Sequence, residues 1–304
     1  MNDFYHSHGD EDVKHGYVNV NGIQLHYVTS GENDAPVCIL LHGFPQNWLS
    51  WRYVIPKIRR THKVIAVDLR GYGGSDKPND IKDYEKKMMA SDIKELLHHF
   101  RVKSALIVGH DRGARVARRL ALDYPDLVDR LVLMDIMPTE YIYDSLSISE
   151  ASDNYWQWVF PLAHGLPEAL IKGKEEDYLT FLLHQGKDFF DLLKSDGSWE
   201  HYLASWQQPG AILAALNDYR ASYHIDLPRY RAEANKHVTL NINTLLLWGE
   251  QGNVAHFPVL DVWRRTIPNA IGREIKGCGH YLPEEKPKEV AQTIIDFSQN
   301  TLTS

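Results

Sequence analysis

Residues 106–120 read LIVGHDRGARVARRL. An apolar run stops at Gly109-His110-Asp111-Arg112-Gly113 and becomes a helical pattern, which predicts a strand, a sharp turn and a helix in direct succession. No other segment constrains the chain as tightly. The layout is that of a G-x-S-x-G nucleophile elbow with aspartate in the serine's place. Gly109 and Gly113 allow the close backbone approach that such a turn needs, and the side chain between them then projects into a cleft beside the free N–H groups of the helix. A loop aspartate that merely caps the helix would read similarly. A cap does not explain Arg112 and Arg115, because cations in a first helical turn oppose the dipole by roughly 0.3–1 kcal/mol each at an exposed site.

The remaining chain supplies a sheet for this elbow. YVNVNGIQLHYVT (17–29) is two alternating runs around Asn21-Gly22, a hairpin signal. VCILLHG (37–43), KVIAVDL (63–69), ALIVGH (105–110), RLVLMDI (130–136) and TLLLWG (244–249) are short continuous apolar runs. Helical periodicity, as in MMASDIKELLHHF, separates them, so the class is α/β with a mostly parallel sheet covered by helices on both faces. Between Pro138 and about residue 235 the strand runs vanish and aromatic helical segments such as YWQWVFPLA replace them. One α/β core, residues 1–137 and 236–304, is therefore expected to carry an inserted helical cap, residues 138–235.

With 304 residues and 43% hydrophobic content, the chain can bury a large core. Its net charge of −7 comes from interspersed signs, leaving no basic stripe for nucleic acid and no polybasic patch for a membrane. The start is polar and no run approaches membrane-spanning length, so a cytoplasmic protein is expected. Cys38 and Cys278 are too differently placed for a disulfide framework and read as free thiols. His98-His99 looks like a surface pair, and the Gly-rich DLRGYGGSD lacks a phosphate-loop lysine. No metal and no cofactor is expected; the partner is a small molecule, and a homodimer is the default assembly.

Three further segments suit a catalytic set. LHGFP (41–45) follows a strand run, where the Phe44 N–H, together with that of Arg112, would form an oxyanion hole, although a tight turn alone would read the same. KGCGHYLPEEKP places His280 after a Gly-rich turn, late in the chain, as expected for a base that follows a nucleophile and an acid. Two acids could orient it: Glu250 after TLLLWG, or Asp135 at the end of RLVLMDI. Asp135 is preferred, because it ends an apolar strand beside the elbow strand and would be costly to bury without a partner.

GHDRGARV, LHGFPQ, DLRGYGGSDKP, LMDIMPT, DYRAS and GHYLPEE together resemble the haloacetate (fluoroacetate) dehalogenases, a branch of the α/β-hydrolase superfamily beside the epoxide hydrolases. The resemblance spans about residues 17–300. It implies that Asp111 displaces halide from a small 2-haloacid, converting haloacetate to glycolate through an aspartyl ester. A carboxylate suits attack on saturated carbon, and the resulting ester has its own carbonyl for water to attack. His280 would activate that water and Asp135 would hold the imidazolium. Arg112 and Arg115, three apart on one helix face, would clamp the substrate carboxylate with forked hydrogen bonds. Ion pairs with acids of the chain itself are the plainer reading of both.

By the same resemblance Trp158 and Tyr219 of the cap would bind the halide. Gln157 stands where the family has a histidine; its neutral amide donates a hydrogen bond but cannot become cationic, which favours chloro- and bromoacetate over fluoroacetate. The other cap aromatics, Tyr143, Tyr155 and Trp156, read as packing. An epoxide hydrolase is the alternative, using the same aspartate and histidine with Tyr219 and Tyr155 as activators. Against it stand the paired arginines, which a neutral epoxide does not need, and the absence of an aspartate after Trp248-Gly249.

Overall fold

The structure, a computed structural model, describes residues 13–184 and 187–302. Eight strands, β1 (Lys14–Val20), β2 (Ile23–Ser30), β3 (Val37–Leu41), β4 (Lys63–Val67), β5 (Ala105–His110), β6 (Val128–Met134), β7 (Thr244–Gly249) and β8 (Ile271–Ile275), form one sheet in the order β1-β2-β4-β3-β5-β6-β7-β8. Only the β1/β2 and β2/β4 pairs are antiparallel. The hairpin turns where Asn21-Gly22 predicts, with Val20 opposite Ile23 and φ of 44° and 78° at the two turn residues. Positive φ at both positions matches the twist of the flanking strands. The continuous apolar runs became the inner parallel strands, and β5, at the middle, is buried along its whole length. Both cysteines are buried and unbridged.

What positions a site is the carboxyl end of this sheet. The helix Arg112–Asp123 leaves β5 at once and packs on β5, β6 and the helix Lys86–His99. Strand pairing continues one residue beyond the strand ends: Asp111 N–H donates to Met134 O at 3.0 Å and Asp135 N–H to Leu247 O at 2.8 Å. Both aspartates have φ of 46°. Positive φ at a non-glycine residue costs on the order of 1–3 kcal/mol, and the anchored backbones on either side hold it in place.

Between β6 and β7 the described residues of 139–235 fold mainly into helices that lie over this edge. Buried charges fasten it there. Asp218, from the cap helix Ala211–Ala221, accepts from Arg112, Lys86 and Tyr72. Glu284, from the core, accepts from Gln46, Arg52 and the cap residue Tyr202, while Arg52 also donates to Asp196 of the cap at 2.7 Å. Cap and core thus share buried pairs, and removing one partner of such a pair costs about 3–5 kcal/mol. Among the described residues no helix is long and apolar enough to cross a membrane.

Candidate active site

The elbow works because its surroundings exclude a Cβ. One built at Gly113 would lie 2.3 Å from Leu41 O, so the helix can approach β3 only through glycine. One at Gly43 would lie 2.7 Å from the Cβ of Asp111, so the HGFP loop closes onto the aspartate only without a side chain there. The result brings the Phe44 N–H to 3.4 Å from Oδ2 of Asp111. The N–H of Arg112 follows at the first residue of the helix.

On the β6 side, Asp135 Oδ2 accepts from Nδ1 of His280 at 2.6 Å, and Oδ1 accepts from the Gly249 N–H at 3.1 Å. Burial raises the Asp135 carboxyl, with the His280 hydrogen bond opposing. Burial alone would lower His280, but the bond to Asp135 and the charges of Asp135 and Asp111 outweigh it and push the imidazole up to about 9. The loop bearing His280 is held by Glu285, whose carboxylate accepts from the N–H groups of Gly279 and Tyr281 at 2.7 and 2.8 Å. Glu250, the alternative acid, is exposed, pairs with Lys276 and caps Gly277, and takes no part in this set.

The helix after the elbow carries four arginines with different partners. Arg118 bonds Glu140 at 2.7 and 3.0 Å, and Arg119 bonds Asp123 and Glu233. Arg112 is engaged by the cap through two of its three nitrogens: Nε and Nη2 donate to the Asp218 carboxylate at 3.1 and 2.6 Å, and Nη2 also meets Asp218 O and Ser222 Oγ, while Nη1 has no partner among the described residues. Burial would lower its pKa, but Asp218 holds it well above the ordinary arginine value. Arg115 differs. Its Nη1 donates to Thr139 Oγ1, while Nε and Nη2 have no partner, and no ion pair reaches it among the described residues. Burial first, then the charge of Arg112, pushes its pKa down to about 10.

A cavity of about 640 Å³ opens over Asp111, Asp135 and His280. Phe44, Tyr155, Gln157, Trp158 and Tyr219 contribute to its wall, and among the described residues no lysine or arginine does. The guanidinium of Arg112 stacks 4.3 Å from the Tyr219 ring centroid and that of Arg115 4.7 Å from the Trp158 ring, so both sit against wall residues without forming wall themselves. Burial and the nearby Asp111 charge raise the Tyr219 phenol well above its usual value, leaving it a proton donor. The Tyr155 hydroxyl donates to Asn253 O at 3.2 Å. Asp111, His280, Asp135, Phe44, Gln157, Trp158 and Tyr219 thus share one cavity, and the two arginines lie just outside it. Sequence reasoning missed Asp218. It stands beside Tyr219 in DYRAS, but nothing in linear spacing connects it with Arg112, 106 positions earlier.

An aspartate on a strained elbow, an N–H aimed at it and a histidine–aspartate pair across one cleft define a hydrolase site on an α/β sheet. Family comparison agrees: the alpha/beta hydrolase fold family matches residues 36–287, and the chain belongs to it. It is 31% identical over 301 residues to the soluble epoxide hydrolase of Corynebacterium sp. (strain C12), covering 94% of this chain and 97% of that one. It is also 31% identical over 299 residues to the fluoroacetate dehalogenase of Burkholderia sp, covering 94% of each. The solved structure of the epoxide hydrolase CorEH superposes with a TM-score of 0.82 at 30% identity, over 96% of this chain and all of that one.

Proposed function

We propose that this hydrolase cleaves the carbon–halogen bond of small 2-haloacids through an ester on Asp111. In the first step the Asp111 carboxylate attacks the halogen-bearing carbon, and halide leaves with the bonding electron pair. In the second, His280 takes a proton from water, hydroxide adds to the ester carbonyl, and the N–H groups of Phe44 and Arg112 stabilise the oxyanion. Asp135 holds the imidazolium. Collapse breaks the ester C–O bond, the departing alkoxide takes the proton from the His280 imidazolium to leave as the hydroxyacid, and loss of the remaining proton to solvent restores the Asp111 carboxylate. Charge timing supports this order: Asp111 contributes to the raised pKa of His280, and ester formation neutralises Asp111, so the histidine becomes easier to keep unprotonated when it must act as base.

The observation that carries the haloacid reading is Arg115. A guanidinium buried on the helix that follows the nucleophile, with two of its nitrogens unpartnered, is a costly arrangement that a substrate carboxylate would relieve. Arg112 contributes Nη1, which is also without a partner. Both guanidinium groups lie against Tyr219 and Trp158, so a carboxylate reaches them only if those rings give way. Trp158, Tyr219 and Gln157 are the proposed donors to the departing halide. The cavity exceeds what a two-carbon acid fills, so longer 2-haloacids belong among the substrates.

A second reading, epoxide hydrolysis, draws support from Tyr219 and Asp111 sharing one cavity whose described lining holds no lysine or arginine. Its second activator is less free, since Tyr155 already donates to Asn253. Halide release from fluoro-, chloro- and bromoacetate and their 2-halopropionate homologues, measured beside diol formation from styrene oxide, separates the two. Chloro- or bromoacid turnover is expected; diol without any halide would replace the reading.

A further inference from the structure

His110, the residue before the nucleophile, has no part in the chemistry described so far. It is wholly buried at the end of β5, and its Nε2 lies 2.8 Å from the main-chain oxygen of His280. The two imidazole rings are 4.9 Å apart. A carbonyl oxygen only accepts, so the proton of His110 is on Nε2. Nδ1 has no hydrogen-bond partner and faces Gly43, where a Cβ would come within 3.0 Å of it. Burial keeps the ring neutral, pushing its pKa down to about 3. The tautomer is therefore single: N–H toward His280, bare nitrogen toward the HGFP loop.

We infer that His110 is a positioning residue for the base, tying the main chain of His280 to the segment that carries Asp111. The base then has two anchors. Asp135 holds its Nδ1 and His110 holds its carbonyl, which together aim Nε2 at the cavity. A tether running from the nucleophile's own neighbour fixes the spacing between Asp111 and His280 independently of the cap. The consequence is selective. Displacement at carbon needs Asp111 alone, whereas ester hydrolysis needs His280 within reach of a water on that ester.

The inference rests on the aspartyl-ester reading, and rapid-quench mass spectrometry tests it by timing the two steps separately. In His110→Leu, ester hydrolysis is expected to slow about 10–100-fold, so that a substrate adduct accumulates on Asp111, while ester formation stays within about 3-fold of the parent. His110→Gln, whose side-chain amide still donates, is expected to recover hydrolysis to within about 3-fold. Equal slowing of both steps, unchanged rates, or failure of a folded Gln variant to recover would overturn the inference. Nitrogen-15 NMR of the unmodified protein needs no variant to fold: a pyridine-like Nδ1 and a protonated Nε2 on His110 are expected, and the opposite tautomer would overturn it too. Failure of the ester reading is distinguishable, because the parent enzyme would then form no adduct with haloacid or epoxide, and the tautomer would still decide the placement of His110.

Discussion

The two flanks of Asp111 are built on opposite terms. On one, the carboxylates are matched: Asp135 accepts from His280 and Gly249, and Glu285 grips both sides of the His280 loop. On the other, Arg115 has unpartnered donors and Arg112 one more, in a region with almost no solvent. Folded proteins rarely leave buried donors unused, and each one left calls for an explanation such as a catalytic role, a water or an ion. The matched flank suits a device that must be in place before substrate arrives. The unmatched flank suits one that the substrate completes, at a standing cost to stability.

The largest expected effect comes from breaking the residue that both flanks serve. Asp111→Asn should reduce halide release on the order of 10⁴-fold or more, and single turnover of the parent enzyme in H₂¹⁸O should leave the label in the Asp111 carboxylate. An unlabelled Asp111 alongside formed product would end the covalent scheme.

Next come the two arginines, which separate a structural cation from one awaiting a ligand. Arg112→Met leaves the buried Asp218 with only Lys86 and Tyr72 as donors, and should lower unfolding stability by about 3–5 kcal/mol in denaturant titration. Arg115→Met removes an unpaired cation and should leave stability level or higher. It should also lower kcat/KM for haloacids about 10–100-fold, the worth of one to two charge-assisted hydrogen bonds, without touching any turnover of a neutral epoxide. Equal losses of stability in both variants would erase the contrast between the flanks.

The smallest effect is a pH dependence. Only neutral His280 can take a proton, and its pKa is raised, so the neutral fraction grows as pH rises. In the ester the Asp111 charge is gone and the midpoint should fall below about 9, the resting value. Hydrolysis of the trapped ester should therefore climb up to about tenfold per pH unit on the acid side and level off before the midpoint measured for His280 in the free enzyme. A midpoint unchanged by ester formation would mean that Asp111 does not influence the base.

Much of the architecture is written in local pattern. Asn21-Gly22 turns the hairpin, short apolar runs become buried parallel strands, and glycines at 109 and 113 permit the elbow, because each of these depends on neighbours within a few residues. Asp111, Asp135 and His280 could be picked out for the same reason: each follows a strand or turn signal at the sheet's carboxyl end. The partners of the arginines were not legible that way. Arg112, Arg115, Arg118 and Arg119 look alike on one helix, yet three have carboxylates and one does not. Which one is left depends on where Asp218, Glu140, Asp123 and Glu233 come to rest.

By itself, then, the amino-acid order determined the class of fold, the strained turn and the aspartate and histidine side chains placed at its edge. Tertiary structure alone decided that Asp218 engages Arg112, that Arg115 keeps open donors, and that His110 reaches the carbonyl of His280. The physical reason is range. Backbone preference and apolar periodicity act between residues close in the chain, whereas ion pairing and hydrogen bonding in a buried site depend on distances and desolvation that exist only after cap and core have packed together.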